Sequence, residues 1–359
     1  MDRDELIAAL GDFSSAFGPP GHENEVAELF RRRLDGTCQF YQDRLGSTVA
    51  ELPGAGPRVM LAAHLDEVGL MIKAVTPEGY LRFVPLGTWW SQVLLSGMVR
   101  VRGRKGEVRG VIGSKPPHFF KENEGKMLMP MEDMFIDVAA GSREEVAALG
   151  LGPGDPAVPD ISPVQMASGA VLMGKALDDR VGILAISETA RHLAGSGHPN
   201  ALFAVGTVQE EIGGRGARTA AQMLKPDVCL VVEGTPADDS PGFAREMSQG
   251  VLGHGPQIRI FDPSMIANRP LAEMAIDAAV SAGLPYQIAV REGGGTDGGP
   301  IHVIETGVPT LVIGIPVRYA HSQAGMTSLS DLEQTIQLLT IMVEKLDGQT
   351  VGRLTGMPG

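Results

Sequence analysis

Val59-Met60-Leu61-Ala62-Ala63 runs without a polar residue and then opens into His64-Leu65-Asp66-Glu67. So short a stretch has neither the alternation of a half-exposed strand nor the length of a helix, and it predicts a strand covered on both faces. Runs of the same kind recur at 201–208 (with Gly206 and Thr207 inside), 228–232 and 310–315. Helical spacings lie between them, clearest over 180–193, 218–224, 270–282 and 330–346. The segment 2–34 reads as two amphipathic helices broken at Gly18-Pro19-Pro20-Gly21. Strands alternating with helices predict an α/β fold, a sheet with helices on both faces.

The stretch from Leu70 to Pro163 has a different character. Short alternating segments at 80–84, 98–102, 107–112 and 134–138 are separated by Gly, Pro and charged turns, which predicts a small, mostly β unit inserted at 70–163. Residues 1–69 and 164–359 then form one discontinuous domain around it. The length fits this division, because 359 residues are more than a single domain of roughly 100–200 residues needs. A net charge of −13 argues against a nucleic-acid partner, which requires clustered Lys and Arg. No apolar run is long enough to span a membrane. The two cysteines, Cys38 and Cys229, form no CxxC pair, and the first residues lack a signal peptide's pattern, so the expected location is cytoplasmic.

The chemistry gathers where the apolar runs end. After 59–63 come His64, Asp66 and Glu67; after 201–208, Glu210 and Glu211; after 228–232, Glu233; after 310–315 and a short loop, His321. Asp178-Asp179 stands just ahead of a helix. Ligands of open α/β sheets bind outside the carboxyl ends of the strands, so these groups can converge. Mixed imidazole and carboxylate donors suit zinc, cobalt or manganese. Two such ions about 3.5–4 Å apart can share one hydroxide, and a further carboxylate must then move the proton. Each signal also has a plainer explanation: a surface histidine, a solvated Glu-Glu pair, a helix N-cap at Asp178 or Asp179. Gly293-Gly294-Gly295-Thr296-Asp297-Gly298 satisfies GxGxxG, but Pro300 and the apolar residues 301–304 follow it instead of a phosphate-binding helix, which favours a pocket loop.

Five motifs together, Ala63-His64-Leu65-Asp66-Glu67-Val68-Gly69, Lys175-Ala176-Leu177-Asp178-Asp179-Arg180, Gln209-Glu210-Glu211-Ile212-Gly213, Gly295-Thr296-Asp297-Gly298 and His321-Ser322, resemble the M42 family of metallo-aminopeptidases, in the same order and over nearly the whole chain. The resemblance implies a zinc-exopeptidase-like domain with a mixed sheet, and an inserted PDZ-like dimerisation domain. It implies two divalent ions (zinc, cobalt or manganese), one held by His64 and Glu233, the other by Glu211 and His321, with Asp178 between them. Glu210 matches the general base, and Asp66 the carboxylate that orients the His64 ring. A cis peptide is implied at Asp178-Asp179. So are short peptides as substrates, and dimers that assemble into a tetrahedral dodecamer. Many relatives carry Asp where Glu233 stands. Glu is frequent there in carboxypeptidases and deacylases of the wider clan, which makes that activity the alternative. A glycosidase using Asp66 and Glu210 as paired carboxylates is a third reading, one that needs no metal.

Overall fold

The computed structural model describes residues 2–121 and 128–355. Its centre is a twelve-stranded mixed sheet. Four strands in its middle, Ala201–Thr207, Arg58–His64, Val228–Pro236 and Thr310–Arg318, lie side by side and parallel. The apolar runs are explained by burial on two sides. Val59, Leu61 and Ala63 face one hydrophobic layer together with Leu230 and Ile313. Met60 and Ala62 face another with Val231 and Val312. Helices Arg3–Ser15, Asn24–Arg33, Leu177–Leu193, Arg269–Ala282 and Leu329–Lys345 supply the first layer, and helices Arg215–Leu224 and Gly298–His302 supply the second.

The edges of the sheet leave a fainter mark in the sequence. Gln39–Gln42 pairs antiparallel with Thr48–Leu52, which pairs antiparallel with Ala201–Thr207. On the other side, Gln257–Asp262 pairs antiparallel with Thr310–Arg318 and parallel with Gln287–Val290. These strands carry polar residues within short stretches, so no apolar run marks them. One expectation is corrected: a helix, Gly298–His302, does follow the glycine-rich stretch. It is only 5 residues long, and Ile301 packs into the second layer, so it anchors the loop to the core.

The inserted segment closes into a barrel in which Gly69–Val75, Leu81–Leu86, Phe135–Asp137, Gly106–Gly113, Met98–Gly103 and Pro156–Pro159 succeed one another. Leu70, Ile72, Leu81, Phe83, Val99, Val101, Ile112 and Ile136 fill it. The α-helix Arg143–Leu149 packs Val146 into its core, starting at Ser142, whose hydroxyl accepts from the Glu145 N–H. No helix among the described residues is long and apolar enough to cross a membrane.

Candidate active site

The carboxyl ends of the four parallel strands open on one cavity of about 500 Å³ lined by Asp178, Glu210, Glu211, Glu233, His321, Arg259 and the loop 291–295. His64, at the end of its strand, is buried behind it. The structure thus brings together the residues that the sequence placed at separate strand ends.

Asp178 lies between the two histidines. Its Oδ1 is 3.1 Å from His64 Nε2 and its Oδ2 is 3.4 Å from His321 Nε2. Glu233 Oε1 lies 3.8 Å from the same His64 nitrogen, and Glu211 Oε2 lies 3.3 Å from that of His321. Each ring is fixed from behind by a backbone carbonyl. His64 Nδ1 donates to the Asp66 carbonyl at 3.0 Å, and His321 Nδ1 donates to the Thr88 carbonyl at 2.9 Å. A carbonyl can only accept, so Nδ1 carries a proton in both rings and both Nε2 atoms face the carboxylates, where giving up their own proton leaves them open to a metal.

Asp66 therefore does more than orient a ring. Its carboxylate lies 3.6 Å from His64 Nδ1, beyond hydrogen-bond reach. Its two oxygens instead accept the backbone N–H groups of Glu210 and Glu211 at 2.9 and 3.0 Å. Asp66 fixes the turn that presents both glutamates. With both oxygens so engaged and the side chain fully buried, it is not available to flank a sugar, and the glycosidase reading loses its second carboxylate.

The Asp178-Asp179 peptide is cis, and the two aspartates divide two tasks. Asp178 points to the histidines, whereas Asp179 accepts from the Gly182 N–H at 2.9 Å, capping the helix, and from Gly234 and His64 N–H groups at 2.9 and 3.1 Å. The structural reading of this pair applies to Asp179 and the functional one to Asp178. Gly234 is required where it stands, because a Cβ there would lie 2.8 Å from Asp178 Cα.

The electrostatics call for cations. Burial pushes the Glu210 and Glu233 carboxyls well above their usual range, with neighbouring carboxylates adding to the effect, and lifts Glu211 to about 8. Burial opposes charge on Asp178 too, but hydrogen bonds from His321 and His64 outweigh it and hold it low. Among the described residues, Glu211 Oε1 and Glu233 Oε2 are buried without any hydrogen-bond partner. Two orphaned carboxylate oxygens beside two imidazole nitrogens match the donor set of a divalent transition metal. His64, Asp178 and Glu211 offer ligand atoms within 4.8 Å of one another, and so do His64, Glu210 and Glu233.

A pH dependence follows. Burial opposes charge on His321, but the Asp178 hydrogen bond and Glu211 hold its proton to about 9, against 6.5 for a free imidazole. Glu211 holds its own to about 8, against 4.5. Both groups bind protons more tightly folded than unfolded. The His321 contribution is complete below its unfolded value and lost as pH rises through 9; that of Glu211 is lost through 8. The melting temperature of chelator-treated protein is therefore expected to fall from about pH 5 to about pH 9. Calorimetry that showed it rising over this interval would contradict the assignment.

The family model of the M42 glutamyl aminopeptidases matches residues 46–338. The chain belongs to the M42 family. It is 33% identical over 359 residues to the glutamyl aminopeptidase of Lactococcus lactis subsp. cremoris (strain MG1363), covering 99% of each chain. The TET aminopeptidase of the marine sediment archaeon Thaumarchaeota archaeon SCGC AB-539-E09 has 42% identity and a TM-score of 0.96, with 98% of this chain and 99% of that one covered. The Pyrococcus horikoshii TET1 peptidase, which can assemble into a tetrahedron or a large octahedral shell, has 32% identity and a TM-score of 0.86 over 95% of this chain and 100% of its own. This M42 member is thus a peptidase of the aminopeptidase type.

Some groups of this M42 site leave little mark in the sequence. Thr88 acts through its carbonyl, which leaves no mark in a sequence. Asp297, in the quoted glycine-rich motif, is buried, accepts from the Thr207 hydroxyl and is lifted by burial to about 6. Arg259 and Arg291 stand in the cavity wall. Arg259 is almost fully buried, and among the described residues its Nε has no hydrogen-bond partner.

Proposed function

We propose that the chain is a co-catalytic two-metal aminopeptidase that removes N-terminal residues from short peptides. The observation that carries this reading is Asp178, each of whose oxygens faces a different histidine. His64 and Glu233 would hold one divalent ion (zinc, cobalt or manganese) and Glu211 and His321 the other, with Asp178 shared. The chemistry such a pair supplies when bound is Lewis acidity toward water and the scissile carbonyl. Glu210 takes the proton of the attacking water and delivers it to the leaving amine. The raised affinity of Glu210 for a proton, caused first by burial and then by Asp297 and Glu211, suits it to both acts.

Arg259 and Arg291 line the same cavity as the carboxylates and would meet an acidic first side chain. Arg259 donates to Asp262 at 3.2 Å and keeps a buried Nε unpartnered among the described residues, while Arg291 is held by Asp238 at 2.8 Å. Segment 70–163 is proposed as the PDZ-like dimerisation domain of a catalytic unit formed by 1–69 and 164–359. Dimers would build a tetrahedral dodecamer of the kind its relatives form. Trp90 and Phe119, exposed on the inserted segment, supply apolar surface for such contacts.

A panel of aminoacyl chromogenic substrates and acetylated peptides tests the reading. Chelation should abolish activity, and zinc, cobalt or manganese should restore it. Glu- and Asp-substrates should be cleaved best, and acetylated peptides not at all. Cleavage of acetylated peptides from their carboxyl end would instead support a carboxypeptidase.

A further inference from the structure

We infer that Gly87-Thr88-Trp89, a turn belonging to the inserted barrel, is a positioning element for the reaction carried out in the sheet domain. The inference rests on the two-metal reading and adds to it the residues that hold His321 and Glu211 in place.

Three observations meet in this turn. The Thr88 carbonyl accepts from His321 Nδ1 at 2.9 Å, across 233 residues of sequence. His321 has less support of its own than His64: its side chain is 34% exposed against 1%, and it sits on a loop at φ 56°. The barrel therefore supplies the contact that selects its tautomer and aims Nε2. Gly87, at φ +84°, brings backbone against the second group. A Cβ at this position would lie 2.8 Å from Val68 Cγ1, 3.2 Å from Glu211 Oε2 and 3.3 Å from Glu211 Cβ. Only glycine allows that approach in that conformation. Trp89, finally, pins the turn. Its ring is buried, and its Nε1–H donates to the Gly69 carbonyl at 3.0 Å, where the first barrel strand leaves the His64 segment. Gly69 is also paired in register with Leu86.

The turn thus touches His321 and Glu211, the two groups facing one another at 3.3 Å, and leaves His64 and Glu233 to the sheet. A defect in the turn should weaken one metal site and spare the other. Purified full-length protein is stripped with chelator and titrated with zinc by calorimetry, alongside Gly87→Ala and Trp89→Phe. Wild type is expected to take two equivalents. In Gly87→Ala one of the two should bind about 10–100-fold more weakly, the range for lost support behind a metal ligand, with a fall in kcat and little change in KM. Trp89→Phe keeps an aromatic ring at the site and removes the pinning donor, so it should shift the same equivalent in the same direction by less. If both variants take two equivalents with wild-type affinities while their melting temperatures fall, the turn is only structural and the inference is wrong. If wild type takes fewer than two equivalents, the two-metal reading itself fails, and the inference falls with it.

Discussion

Glu210→Gln is expected to lower kcat by about 10²–10⁴-fold, the range that a positioned proton-transfer group contributes, while zinc stoichiometry and KM stay near wild type. The geometry separates these effects. The Glu210 backbone N–H is tied to Asp66 at 2.9 Å whatever its side chain is, so the turn also presenting Glu211 survives the substitution. Glutamine keeps the shape and removes the carboxylate that would accept a proton. Because burial already disfavours charge at this position, the metal-free protein should melt no lower than wild type. Steady-state kinetics with calorimetric zinc titration decide the matter. Activity within a few fold of wild type would show that the proton is moved by another group, with the buried Asp297 the first to test.

The second large effect concerns stability. Glu67, Lys175 and Arg180 are all buried. Lys175 Nζ donates to the Glu67 oxygens at 2.6 and 2.7 Å, and Arg180 Nη2 donates to one of them at 3.2 Å. The cluster also reaches the end of the first helix. Lys175 donates to the Ala16 carbonyl at 2.7 Å, Arg180 to that of Phe13 at 3.1 Å, and Glu67 accepts from the Gly18 N–H at 3.1 Å. Glu67→Leu leaves two buried cations without their shared anion, and the loss is expected to be about 3–5 kcal/mol. Adding Lys175→Met should recover a large part of it, because Arg180 retains the Leu65, Asp66 and Phe13 carbonyls. Urea denaturation of the two single variants and the double one, read as a cycle, measures the coupling. Additive losses would show that the cluster is not a unit.

What could be read in advance was what side chains write locally. The run 59–63 announced a strand buried on both faces, and His64, Glu210, Glu211 and Glu233 stood at the ends of such runs, where a shared cavity was to be expected. The groups that the sequence did not disclose act through the backbone or depend on distant partners. Thr88 contributes a carbonyl, and Asp179 looks no different from Asp178 until the helix start separates their directions. Asp66 lies two residues from His64, yet its carboxylate serves the turn at Glu210 and Glu211, 144 and 145 residues away. The strands Gln39–Gln42 and Gln287–Val290 sit at or near sheet edges, where polar side chains are tolerated and the apolar signal fades.

The strand Thr310–Arg318 is wedged between Val228–Pro236 and Gln257–Asp262, although it is the last long strand to be synthesised. A nascent chain that stops short of it lacks one of the four central parallel strands together with His321. One late segment therefore completes the row of parallel strands and brings His321 to the cavity.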